Sequence, residues 1–195
     1  MIAVDERPLV VGLGGTTRAG SSSERALAFA LAAAAAHGAD TRLIPAAELV
    51  LPPYEEGAAS ESQAAQRLLR EVERASGVLI ASPGYHGSIS GLLKNALDYL
   101  EELAGSERPY LDGRAVGCIV CAHGWQAAVT TLDALRSVVH ALRGWPTPLG
   151  VAINSSAGGV FGEDGAVRDP RVACQLDLVA RQVVDFARVQ PAVAA

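Results

Sequence analysis

The sequence predicts an α/β fold, a five-stranded parallel sheet with helices on both faces, and two observations predict it. Five short apolar runs recur along the chain, at Leu9–Leu13, Thr41–Ile44, Val78–Ala81, Ala115–Val120 and Pro148–Ile153. They are continuously apolar instead of alternating, as strands covered on both faces are. Longer helical patterns separate them, at Ser22–Ala36, Ser60–Ala75, Ser90–Leu103 and Ala127–Leu142, and a last helix over Pro170–Arg188 closes the chain. Regular alternation of strand and helix builds parallel β-α units.

The breakers support these boundaries. His37-Gly38 ends the first helix, and Gly77 and Gly113-Arg114 precede the third and fourth strands. Two connections are long: Leu51–Gly57, with Pro52-Pro53, and Asn154–Asp169, with Gly158-Gly159 and Gly162. Loops of that length in a compact domain serve function or line a partner surface. With no internal repeat and no linker, residues 1–190 read as one domain, and 191–195 as a frayed tail.

Composition narrows the function. Half of the 195 residues are apolar, 19% are charged and the net charge is −5, so the chain is globular and lacks a basic stripe for nucleic acid. Lys94 is the only lysine, so Schiff-base chemistry has one place to occur. Met1–Pro8 holds Asp5 and Glu6 and no apolar core, and the run Ala26–Ala36 is too short to cross a bilayer. These features predict a cytoplasmic protein away from membranes. Cys118 and Cys121 form a C-x-x-C inside a strand, where residues three apart point to opposite faces; this excludes a redox pair and fits a reducing compartment.

In an open parallel sheet, ligands bind beyond the C-terminal ends of the strands, so the loops after strands one, three and four matter most. The first, Gly14–Ser23, carries five hydroxyl residues and Arg18 at the mouth of a helix. Helix amides and the positive dipole end favour an anion there, and the guanidinium adds a forked donor. A dinucleotide fingerprint starting at Gly12 would need glycine where Thr17 stands, and a P-loop would need a lysine that the loop lacks. A terminal monophosphate such as that of FMN suits what remains. Ser21, with Glu24 three residues on, also reads as a capping box.

The second loop, Ser82–Ser88, is small, polar and carries one aromatic, Tyr85; it suits the edge of a flat ring system or reads as an ordinary β-α turn capped by Ser88 or Ser90. His86 reads as a loop histidine, and Lys94, Asn95 and Asp98 as a polar helix face. The third, Ala122–Gln126, offers His123 and Trp125 to flank a planar ligand, with Gly124 allowing close approach; Trp125 reads equally as a packing residue.

Ser82-Pro-Gly-Tyr-His-Gly-Ser88 followed by Gly91-Leu-Leu-Lys-Asn-Ala-Leu-Asp98 resembles the signature of the NAD(P)H-dependent FMN reductase family. The Gly15–Ser21 loop resembles that family's phosphate loop. The resemblance implies a flavodoxin-like fold with strand order 2-1-3-4-5, a homodimer or homotetramer, and hydride transfer from NAD(P)H to FMN, with reduced flavin supplied to a partner monooxygenase. It also admits a quinone, azo or chromate-type reductase that keeps FMN bound. Carried over by motif, Thr16, Arg18, Ser21 and Ser23 would hold the phosphate. Pro83, Gly84, Tyr85, His86, Gly87 and Ser88 would border the isoalloxazine, and His123 and Gly124 would close its far side. No metal and no essential acid-base residue is expected, because the flavin carries the chemistry. Relatives commonly have an acidic residue in place of Gly84 and asparagine in place of His86. The inserted tyrosine of the alkanesulfonate-type reductases has no counterpart between Ala127 and Leu142. Two other readings stay open: an electron-carrying flavodoxin, and a module of this fold that has lost its flavin.

Overall fold

The computed structural model describes residues 7–189; the expectations about the N-terminal segment before Arg7 and the tail at 191–195 lie outside them. Strand β1 (Leu9–Gly14) leads into helix α1 (Ser22–Ala36), then β2 (Asp40–Pro45) and α2 (Gln63–Arg74). Strand β3 (Gly77–Tyr85) turns back into β4 (Ser88–Ile89), and α3 (Gly91–Asp98) follows. Strand β5 (Ala115–Ala122), α4 (Trp125–Ala141), β6 (Trp145–Pro146), β7 (Val151–Asn154) and α5 (Pro170–Val189) complete the order.

The sheet runs β2-β1-β3-β5, with β6 and β7 both paired in parallel to β5. This is the expected 2-1-3-4-5 order, with one correction: the described residues form seven strands, not five. The fifth strand is broken in two. Beside Pro148, which has no N–H to give a ladder, Thr147 N–H bonds Val116 O, the Thr147 hydroxyl turns to Leu149 O, and Leu149 N–H goes to Gln182 Oε1. The other added strand, β4, pairs antiparallel with the end of β3.

Side-chain alternation divides the strands between two cores. Val11, Leu13, Val78, Ile80, Val116, Cys118 and Val120 pack with Leu68, Val72, Leu93, Leu97 and Leu135 from α2, α3 and α4. Val10, Leu79, Ala81, Ile119 and Cys121 pack with Leu27, Leu31, Leu176, Val179 and Val183 from α1 and α5. Cys118 and Cys121 thus lie on opposite faces, both buried, and burial pushes both thiols up to about 12. The expectation of a strand buried on both faces fails for β2, where Asp40, Thr41, Arg42 and Leu43 are exposed, because β2 is the edge of the sheet.

Two helices are shorter than their patterns suggest. Helix α2 begins at Gln63, capped by the Ser62 hydroxyl, after a separate 3-10 turn over Ala58–Glu61. Helix α3 tightens into a 3-10 turn over Tyr99–Leu103. The polar face expected of α3 is partly a clasp. The Asn95 carboxamide accepts Tyr54 N–H at 2.9 Å and donates to Leu51 O and Pro52 O at 3.2 and 2.8 Å. Tyr99 donates its hydroxyl to Pro52 O, and its ring meets that of Tyr54 edge-on. Lys94 and Asp98 do face solvent, as an ion pair one turn apart. Arg114, fully buried, donates to the carbonyls of Glu73, Ala75, Tyr110 and Asp112, which closes the C-terminus of α2 against the start of β5.

Candidate flavin-binding cleft

The C-terminal ends of β1, β3 and β5 open onto a cleft of about 600 Å3. The β1–α1 loop forms one wall with Thr16, Thr17, Arg18 and Ser21–Ser23; Pro83–His86 and Cys121–His123 line the remainder, with Ser155 from the end of β7. Of the residues singled out in the sequence, the structure brings together Thr16, Arg18, Ser21, Ser23, Pro83, Gly84, Tyr85, His86 and His123. Gly87, Ser88 and Gly124 stand beside the cleft without lining it. Thr17, Ser22, Cys121, Ala122 and Ser155 also line it. The first two lie within the hydroxyl-rich run and Cys121 and Ala122 at the strand end; nothing in the sequence around Ser155 points to the cleft.

The β1–α1 loop is shaped by where its backbone must go. Gly14 leaves the sheet at φ +123°, so close to β3 that a Cβ would meet Ala81 O, and Gly15 N–H bonds that same carbonyl at 3.0 Å. The Thr16 hydroxyl closes a short turn, accepting Arg18 N–H at 3.2 Å. At the mouth of α1 the Ser21 hydroxyl accepts Glu24 N–H at 3.3 Å, while the Glu24 carboxylate accepts Gly20 N–H at 2.7 Å. Ser21 therefore does cap the helix, and Ser23, buried beside it, lies 3.5 Å away oxygen to oxygen. Among the described residues the Arg18 guanidinium takes part in no hydrogen bond or ion pair, and the cleft lining holds no carboxylate. An exposed lone cation beside the N-terminus of a 15-residue helix has the charge and the free donors that suit a doubly charged phosphate.

The segment after β3 is a hairpin, not a loop. β3 continues through Ser82, Pro83 and Gly84 to Tyr85, which pairs with Ser88. His86 and Gly87, at φ +51° and +82°, make the two-residue turn in the positive-φ pair that hairpins favour. The Ser82 hydroxyl accepts Ser90 N–H at 3.1 Å and donates to Pro83 O at 2.8 Å, which ties the hairpin base. Ser90, not Ser88, caps α3 through Leu93 N–H. Gly84 is needed for contact: a Cβ there would lie 2.8 Å from Ala122 Cβ and 2.9 Å from Thr131 Oγ1. This close packing of α4 fills the space that an acidic side chain would use. Tyr85 is about half exposed at the rim, and Trp125, at the first turn of α4, is 63% exposed, which removes its reading as a packing residue.

The fold and this cleft define a flavodoxin-like α/β protein whose hydroxyl-rich β1–α1 loop, with Arg18, faces a hairpin across the cleft. The chain belongs to the NADPH-dependent FMN reductase family, whose family model matches residues 8–158. It is 32% identical over 116 residues to an FMN-dependent NADPH-azoreductase of Staphylococcus aureus, a match covering 58% of this chain and 57% of that protein. The chain thus spans a little over half the length of the curated relatives it matches. Among solved structures it is similar to FerB, a flavoenzyme NAD(P)H:(acceptor) oxidoreductase from Paracoccus denitrificans, with a TM-score of 0.77 at 20% identity over 94% of this chain and 98% of that one. It is also similar to the apo form of an NADH:FMN oxidoreductase, EMOB, with a TM-score of 0.70 at 24% identity over 96% and 91%. At these identities the structural likeness speaks for the fold.

Proposed function

We propose that the protein is an NAD(P)H-dependent FMN reductase that binds the flavin in the cleft between the β1–α1 loop and the β3–β4 hairpin. Membership of the family supports this reading, and one observation carries it: the unpaired Arg18 guanidinium stands with hydroxyls at the mouth of α1, opposite the ring-bordering residues of the hairpin. In it, Thr16, Arg18, Ser21 and Ser23 hold the phosphate. Pro83 to Ser88 border the ring, and His123 and Gly124 close its far side. The chemistry that bound FMN would supply here is acceptance of hydride from reduced nicotinamide and delivery of electrons to an acceptor. The protein's own part is binding and orientation. Arg18 and the helix amides neutralise the phosphate, and the hairpin, fixed by Ser82, presents a preformed edge. Half-exposed Tyr85 leaves an aromatic face at the rim open to a planar second ligand.

The protein works in the cytoplasm as a homodimer or homotetramer in this reading; exposed Trp125 and Val129, one turn apart on α4, give an apolar strip for a second copy. No helix among the described residues is long and apolar enough to cross a membrane. Where reduced FMN leaves the cleft, a flavin-dependent monooxygenase is its consumer. The azoreductase relative favours a second reading, in which FMN stays bound and an azo, quinone or chromate-type acceptor is reduced. Steady-state NAD(P)H oxidation with and without added FMN, beside the absorbance spectrum of the protein as isolated, tests both. A colourless protein whose turnover requires added FMN supports the first reading. A yellow protein that keeps its flavin through desalting and turns over an azo dye supports the second. Absence of NAD(P)H oxidation in every combination contradicts both.

A further inference from the structure

The turn between β5 and α4 lacks any cap of its own. Gly124 occupies the N-cap position of α4 at φ +110° and ψ 147°, and no side chain within that turn takes a helix amide. Its N–H is instead captured from the neighbouring strand. Asn154, the last residue of β7, accepts Gly124 N–H on Oδ1 at 2.9 Å. The same oxygen accepts Ser156 N–H at 3.0 Å and the Ser156 hydroxyl at 2.7 Å. Between them, the Ser155 hydroxyl donates to Ala122 O at 3.2 Å, and Ser155 itself lines the cleft. Ala122 and Asn154 are register partners in the sheet. The residues on either side of His123 are therefore both tied to the end of β7, while the His123 side chain is exposed at the cleft.

We infer that Asn154 is a positioning residue of the flavin site: its Oδ1 fixes the Gly124 peptide, and through it the turn that sets His123 against the ring half of the cleft. This rests on the flavin reading of the cleft and adds to it a residue outside the family motifs. A three-coordinate carboxamide oxygen has no spare lone pair for solvent, so the turn has one preferred geometry while the bonds hold. Glycine at 124 makes that bond matter, because the backbone there has no side-chain restriction to replace it.

The test separates the two halves of the ligand. FMN and riboflavin share the ring and differ in the phosphate, so their dissociation constants, measured by quenching of flavin fluorescence, report the halves independently. Losing the clasp in Asn154→Ala should weaken FMN and riboflavin by the same factor, about tenfold for one net hydrogen bond and a loosened turn. Asn154→Asp keeps an acceptor oxygen in place and should stay within about threefold of wild type for both. Arg18→Ala should weaken FMN and leave riboflavin unchanged. An Asn154→Ala protein that unfolds is covered by Ser155→Ala, which removes the neighbouring tie to Ala122 and should also weaken both flavins equally. Unchanged flavin affinity in Asn154→Ala, or an equal loss in Asn154→Asp, overturns the inference while leaving the cleft assignment intact. Wild-type protein that binds neither flavin overturns both.

Discussion

Replacing Asn95 by alanine should unpin the 51–57 connection. The side chain makes three hydrogen bonds to that segment, one accepted from Tyr54 N–H and two donated to Leu51 O and Pro52 O. The Tyr54 bond is part-buried and is worth about 1 kcal/mol net. Pro52 is exposed, so its carbonyl recovers water, and the part-buried Leu51 bond is long at 3.2 Å, so each of these two bonds is worth about 0.5 kcal/mol. The sum is about 2 kcal/mol, or roughly 4–8 °C in Tm for a protein of this length. Urea denaturation followed by far-UV circular dichroism reads it as a lower midpoint at unchanged slope. Asn95→Asp sharpens the test. It keeps an acceptor for Tyr54 but turns a second oxygen toward two carbonyls, so it should be no better than alanine. A midpoint within 0.5 kcal/mol of wild type (about the scatter of neutral surface changes), or an aspartate variant as stable as wild type, would refute the clasp.

Three further outcomes follow from the packing. Gly84→Asp, which restores the acid common in relatives, should cost about 1–3 kcal/mol from overpacking against Ala122 and Thr131; Thr131→Ala in the same chain should recover part of it in the same unfolding assay. Arg114→Met should cost about 2–4 kcal/mol, because four carbonyls lose their donor and the arginine has no carboxylate to leave behind; an unchanged midpoint would deny Arg114 its closing role. In native protein only exposed Cys174 should react with a thiol reagent at pH 8, while all three cysteines react after unfolding. Cys118 and Cys121 are held neutral by burial, with thiols pushed up to about 12. Their contribution to stability is full below the unfolded thiol value, about 8.5, and is lost as pH rises beyond it. By pH 10 the loss is about 2 kcal/mol for each, and Cys118→Ala with Cys121→Ala should flatten that fall.

Most of the fold was legible because the two periodicities in the sequence match the two kinds of element. Helix α1 spans the predicted Ser22–Ala36, and the continuous apolar runs fall in β1, β3 and β5. Pro148 was the signal for the break in the fifth strand, and an apolar run that includes it conceals the break. Ser82–Ser88 read as a loop because its small polar residues and glycines carry turn propensity, whereas pairing of Tyr85 with Ser88 and packing on Thr131 decide for a hairpin. The exposed face of β2 escaped the pattern, since edge position is a property of the sheet and not of one strand. In the site, the hydroxyl-rich loop announced itself by composition. Asn154 and Ser155 did not, because their bonds run to β5 and its turn, about 30 residues away in the chain. A motif cannot encode a contact that only strand pairing creates.

The affinity of the wild-type protein for FMN set against riboflavin, by titration calorimetry, probes the phosphate cradle without any mutation. The cleft at the mouth of α1 predicts one FMN per chain and riboflavin at least tenfold weaker, since a charge-assisted contact to Arg18 and the helix amides adds about 1.5–3 kcal/mol or more. Equal affinities for the two flavins would mean that the β1–α1 loop holds no phosphate, and would contradict the assignment of this cleft.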